Sequence, residues 1–164
     1  MVNYLDYAAT TPVHSEVLKV ITKEMASFGN PSSVYRIGRE QKQKIERVRK
    51  AILKELQASP HDSVIFTSSG SEGNNLVFES IRKHFAKEKG HIIVSAVEHP
   101  SVRKSAEFLE QEGFDVTYLA PNREGSIEVS AVVKALREDT RLVSIMTVNN
   151  ETGARFPIEE IAAL

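Results

Sequence analysis

The sequence contains no cysteine, which excludes disulfides, thiolate metal sites and any thiol nucleophile from this stretch of chain. Compartment stays open on that ground alone, because reduced proteins can simply lack the residue. An excess of charge of one sign is missing too. Lys plus Arg number 21 against 22 Asp plus Glu, so no net field recruits nucleic acid or an anionic membrane. No apolar run reaches the roughly 18 residues that a membrane span needs. The start, MVNYLDYAATTP, has neither the basic n-region nor the apolar h-region of a secretory signal. Internal repeats and low-complexity tracts are absent. The expectation is a cytoplasmic protein with no direct nucleic-acid or membrane partner and no metal site.

What is present is one domain's worth of chain, 164 residues with 41% hydrophobic and 26% charged residues, which suits a globular core. Periodicity predicts helices over about 14–27, 38–57, 74–87, 100–112 and 130–137. In the second of these Ile45, Val48, Ile52, Leu53 and Leu56 fall near helical spacing. Short β-branched apolar runs predict four strands, 63–67, 91–95, 115–119 and 142–146. Gly113 stands where a C′ glycine ends a helix. FGNPSS (28–33) is dense in Gly, Asn, Pro and Ser and reads as a loop. Strands separated by helices indicate an α/β fold with a mostly parallel sheet. The segment 157–164 starts an amphipathic helix that stops without a C-cap, so the chain is expected to be cut from something longer.

In open α/β sheets, ligands bind outside the carboxyl ends of the strands, and three of the predicted strands end in polar clusters. After 63–67 comes SSGSEG (68–73), leading into a helix. Small residues there let a ligand approach the backbone, and a helix N-terminus offers unpaired N–H groups and a positive dipole end. Gly70 and Ser71 are therefore candidates for a phosphate cradle, with the hydroxyls of Ser69 and Ser71 as further donors. The plainer alternative is that Ser69-x-x-Glu72 is only a capping box. The loop matches neither the P-loop nor the dinucleotide fingerprint. After 91–95 comes Glu98-His99-Pro100; Pro100 suits the first helical position and so fixes His99 at a helix entry. A histidine there can stack on a planar ligand or move protons near neutrality, or be an ordinary loop histidine. His14, His61, His84 and His91 have no such context and are given no role. After 142–146 comes Val148-Asn149-Asn150-Glu151-Thr152-Gly153, where Asn150 can orient ligand oxygens or serve only turn chemistry. Three clusters at equivalent strand ends suggest a site for a small planar anion.

Six motifs in order then carry a resemblance: YLDYAATTP (4–12), FGNPSS (28–33), FTSSGSE (66–72), EHP (98–100), GFDVTYL (113–119) and VNNETG (148–153). Together they resemble the cysteine desulfurases of the NifS/IscS type, within the class-V aminotransferases of pyridoxal-phosphate fold type I. The resemblance implies the N-terminal part of that fold's large domain, truncated, with an N-terminal arm over 1–13 and an incomplete cofactor-binding domain over 14–164. It implies pyridoxal 5'-phosphate as cofactor, held through Gly70 and Ser71 at its phosphate and by His99 stacked on its ring and assisting proton transfer. Asn150 is implied as a further cofactor-binding residue, contacting the cofactor or the substrate near the reacting centre. The reaction implied is L-cysteine to L-alanine with an enzyme-bound persulfide, for iron–sulfur clusters or tRNA thiolation. The implied partners are L-cysteine, a sulfur-acceptor protein and a second copy in a homodimer. Ser69 stands where many relatives have Gly, Gly73 where many have Ser, and Thr147 where some have His. The family's cofactor-binding lysine, pyridine-nitrogen aspartate, substrate arginine and persulfide cysteine have no counterpart in the 164 residues, so the isolated chain is expected to be inactive. Two alternatives remain: a related aminotransferase or lyase of the same fold, and a non-catalytic interaction fragment.

Overall fold

The computed structural model describes residues 3–164, which group by their contacts into two units, one ending at Phe66 and the other Thr67–Leu164.

In the first unit, residues 3–13 form neither helix nor strand. The Tyr4 hydroxyl donates to the carbonyls of Asp6 (2.7 Å) and Thr10 (3.1 Å) and closes that stretch into a turn. Helix α1 (Ser15–Met25) starts where Nδ1 of His14 accepts the Glu16 amide at 3.3 Å, so a histidine given no role by its sequence context is an N-cap. Helix α2 (Arg36–Glu55) is joined to α1 by Lys44, whose ammonium reaches Glu24 at 2.6 Å and the Ser27 hydroxyl at 2.9 Å. Gly38 is the one residue of α2 that is buried. A Cβ there would overlap Ser33 Oγ and the Asn30 carbonyl oxygen, so a helix position that ordinarily disfavours glycine needs it to let the 28–33 loop lie on the helix backbone.

The strand predicted over 63–67 does not form. Its apolar run, Val64-Ile65-Phe66, has no regular secondary structure, with Ile65 at 68% and Phe66 at 49% exposure. A β-branched run has strand propensity, but a strand exists only as part of a hydrogen-bonded ladder, and among the described residues no neighbour pairs with this segment. The predicted four-strand sheet is therefore a three-strand one.

The second unit runs α3 (Gly70–His84), β1 (His91–Ser95), α4 (Pro100–Gln111), β2 (Asp115–Leu119), α5 (Val129–Ala135), β3 (Thr140–Ser144) and α6 (Ile158–Ala162). The strand order is β2-β1-β3, and both pairings are parallel. β1 sits in the middle and is buried at every position, which is why HIIVS reads as a continuous apolar run rather than an alternation. Its side chains still alternate in direction. Ile92 and Val94 pack with Phe78, Val102, Ala106, Leu109 and Phe114, whereas Ile93 packs with Leu119, Ile127, Val132 and Phe156. Each of these β1 aliphatics contributes roughly 1.5–3 kcal/mol through burial. Gly113 has φ +93° directly after α4 and its C-cap, the left-handed C′ position that its sequence context predicts.

β3 begins two residues earlier than predicted, because the pairing to β1 shifts between His91 and Ile92 and draws Thr140 into the ladder. No helix among the described residues is long and apolar enough to cross a membrane.

Candidate cofactor site

All of the predicted site residues lie in the second unit, where parallel strands bring their carboxyl ends to one edge. The exit of β1 is tied down by Glu98. Its Oε1 accepts from the buried Ser95 hydroxyl at 2.6 Å and from the Met146 amide, beyond the end of β3, at 2.7 Å. One carboxylate oxygen thus fixes the loop before His99 to the neighbouring strand exit. His99 itself is the N-cap of α4, with Pro100 behind it as predicted, and its Nδ1 accepts the Ser101 amide at 3.1 Å.

Helix α3 begins four residues earlier than the periodicity predicts, because the cap residue is Ser69. Ser69 Oγ accepts the Glu72 amide at 3.2 Å, while Glu72 Oε2 turns back to the Ser68 amide and hydroxyl. Those two bonds from Ser68 hold the Glu72 carboxyl below its ordinary range. The capping-box reading is therefore right in substance, and it leaves donors over. The Glu72 and Gly73 amides are used by Ser69, whereas the amides of Gly70 and Ser71 head the helix without a partner among the described residues. Both residues are exposed, and a Cβ built on Gly70 meets nothing within 4 Å.

The third exit is organised by Asn149, not by Asn150. Asn149 is buried, at 7% exposure. Its Oδ1 accepts the amides of Glu151 (3.0 Å) and Thr152 (2.9 Å), and its Nδ2 donates to the Val97 carbonyl at 3.1 Å. Asn150 is exposed, and its side-chain amide bonds only the adjacent Glu151, at 2.6 Å.

The β1 and β3 exits and the start of α3 are thus joined by hydrogen bonds. Asn149 and Glu98 link the β3 exit to the β1 exit. Asn74, in the second turn of α3, donates to Ser101 Oγ at 2.9 Å and links α3 to the β1 exit. Gly70, Ser71 and His99 belong to elements connected in this way. Asn150 rides on the same turn, but its own side chain makes none of the joining bonds. Glu98, Asn149, Asn74 and Ser101 went unmarked in the sequence reading. For Glu98 the available signal was a carboxylate directly after a buried strand and beside the singled-out histidine. For the Asn pair, only burial separates the two.

Chemically, the edge offers two free amides and a hydroxyl at a helix N-terminus, an exposed imidazole and an exposed carboxamide: a donor set for a phosphorylated planar ligand. The aminotransferase class-V model matches residues 3–164. The chain belongs to the class-V aminotransferase family. Members of this family in general use pyridoxal phosphate. The cysteine desulfurase IscS of Dictyoglomus turgidum (strain DSM 6724 / Z-1310) is 45% identical over 164 residues, covering 98% of this chain and 41% of the relative. Human selenocysteine lyase is 41% identical over 179 residues, covering 97% and 40%. Among solved structures, SspA in complex with cysteine superposes with a TM-score of 0.93 at 40% identity, covering 99% of this chain and 47% of that one. This class-V aminotransferase chain therefore spans less than half the length of these relatives. The α/β architecture and the NifS/IscS-type resemblance expected from the motifs both hold.

Proposed function

We propose that this chain is the N-terminal part of a pyridoxal-phosphate-dependent cysteine desulfurase and supplies the phosphate grip and ring contact of its cofactor site. The observation that carries the reading is the hydrogen-bonded union of the β1 and β3 exits with the start of α3, which leaves the donors of Gly70, Ser71 and His99 unspent. The residues fit the cofactor. A phosphate monoester needs N–H donors at a helix N-terminus with open approach, and Gly70 offers both. When bound, the cofactor supplies the electron sink for bond breaking at the amino acid. The chain's own groups would bind and orient it: Gly70 and Ser71 would hold the phosphate, the imidazole of His99 would stack on the ring, and the carboxamide of Asn150 would contact the cofactor or the substrate. Residues 14–164 are the incomplete cofactor-binding domain in this reading, with 1–13 an arm.

The persulfide cysteine, the cofactor-binding lysine, the pyridine-nitrogen aspartate and the substrate arginine are contributed by the remaining length that the relatives have. The complete protein acts in the cytoplasm as a homodimer, passing sulfur to an acceptor protein for iron–sulfur clusters or tRNA thiolation. In the complete protein, L-cysteine is expected to yield alanine and an enzyme-bound persulfide in a pyridoxal-phosphate-dependent manner, with sulfide released once an added thiol reduces the persulfide, while residues 1–164 alone stay at background. Absence of alanine from the complete protein sinks the proposal. The likeness to a selenocysteine lyase supports a second reading, lyase action on selenocysteine. A preference of about tenfold or more for selenocysteine, roughly 1.4 kcal/mol in the barrier, would favour it.

A further inference from the structure

We infer that Asn74 and Ser101 are positioning residues that hold neutral His99 as its Nε2–H tautomer, so the imidazole meets the site as a hydrogen-bond donor. The inference deepens the proposed function and takes from it only the identity of what His99 faces.

The argument follows the protons. Two groups approach His99 Nδ1: the Ser101 amide at 3.1 Å and Ser101 Oγ at 2.8 Å. An amide N–H can only donate, so Nδ1 must accept, and an accepting ring nitrogen carries no proton. The hydroxyl is directed the same way from behind. Asn74 Nδ2, which also can only donate, reaches Ser101 Oγ at 2.9 Å. That interaction occupies a lone pair of the hydroxyl and leaves its hydrogen free for Nδ1. The relay therefore runs from the α3 side chain to the α4 hydroxyl to the imidazole, and each member has one role consistent with its chemistry.

The remaining nitrogen, Nε2, makes no hydrogen bond among the described residues, and the ring is exposed. In the neutral ring the single proton is on Nε2. An accepting Nε2 requires that proton to move to Nδ1, which displaces the Ser101 amide from the cap of α4 and turns the hydroxyl away. His99 accordingly stands ready to donate a hydrogen bond to a ligand atom, and the outward nitrogen is not a resting base. The assignment also gives Asn74 a purpose beyond helix surface, since it lies one turn below the free amides of Gly70 and Ser71 and couples their helix to the histidine.

The test uses the 164-residue chain labelled with 15N-histidine, at a pH above the ordinary histidine range. Proton-correlated nitrogen spectra distinguish a protonated from an unprotonated ring nitrogen. His99 is expected to show an unprotonated Nδ1 and a protonated Nε2. Asn74→Asp replaces the donor with an acceptor that draws the Ser101 hydroxyl toward itself, and Ser101→Ala removes the hydroxyl without adding charge. Each is expected to lower the Nε2–H to Nδ1–H ratio about fivefold, the worth of one hydrogen bond. Amide spectra matching those of the unaltered chain establish that the variants are folded. A protonated Nδ1 in the parent chain overturns the inference. So does an unchanged ratio in both folded variants, which would mean that the Asn74 amide is turned the other way. Failure of the complete protein to desulfurate cysteine would remove the proposed function and leave this readout untouched.

Discussion

The two ends of the central sheet are both polar, and they use their polarity in opposite ways. At the amino ends of the strands His91 is fully buried, with Nδ1 at 2.9 Å from Thr140 Oγ1 and Nε2 at 2.8 Å from Thr117 Oγ1. One ring therefore staples the central strand to both neighbours. Beside it, Arg137 pairs with Asp115 and Asp139, and its guanidinium holds the Asp115 carboxyl below the usual range. At the carboxyl ends, Asn149 and one oxygen of Glu98 are engaged in the same manner, while Gly70, Ser71 and His99 Nε2 retain donors that nothing in the second unit takes up. Both ends contain histidine, hydroxyls and carboxylates. What separates scaffold from site is whether the donors are spent.

Substitutions can break or sharpen that contrast. The largest effect is expected at the closed end. His91→Ala removes a buried ring and deprives the Thr117 and Thr140 hydroxyls of their imidazole partner, at a cost of about 3 kcal/mol. Urea unfolding of the chain measures it, and a loss below about 1 kcal/mol would mean the end is not closed as described. The same residue sets a pH dependence. Burial pushes the His91 imidazole below its ordinary value, Arg137 adds to this, and Asp115 and Asp139 oppose it. The unfolded chain takes up the proton near pH ~6.5, so the folded state binds fewer protons below that point. His91's contribution is then intact above pH ~6.5 and lost as pH falls toward the lowered folded value. His91→Gln should flatten this part of the stability–pH curve.

Of intermediate size is the contrast between adjacent asparagines. Asn149→Ala unravels the turn and should cost about 2 kcal/mol, whereas Asn150→Ala should cost less than about 0.5 kcal/mol while impairing the complete protein's activity. Equal losses in denaturation would erase the distinction drawn between the two. The smallest loss of stability belongs to Gly70→Ala. Its Cβ enters open space, so stability should be unchanged or raised by less than about 1 kcal/mol, while saturable protection of the complete protein by pyridoxal phosphate weakens. Undiminished protection would show that the helix start is not the grip.

Much of this was legible in the sequence because its signals are local. Pro100 placed His99 at a helix entry, Gly113 marked a C′ position, and the run at 91–95 announced a strand. What was not legible depends on residues distant in the chain. The strand expected at 63–67 had the right composition, but strand formation depends on a partner that composition does not specify. His91 drew no attention because Thr117 and Thr140, which make it a staple, lie 26 and 49 residues away. Asn149 and Asn150 are the same residue type side by side, and only the carbonyl of Val97, 52 residues from Asn149, selects the first as the structural one. Ser69-x-x-Glu72 was offered as a choice between cap and cradle; the geometry accommodates both, because a cap consumes only part of the first turn.

The placement of β1 between β2 and β3 has a consequence for biosynthesis. Both flanking strands come later in the chain, so the most apolar strand leaves the ribosome with neither side covered. About 50 further residues must be translated before β3 is available, which takes several seconds at ~5–20 residues per second. During that interval the nascent segment His91–Ser95 is an open template for other extended chains, and chaperone engagement should be concentrated there.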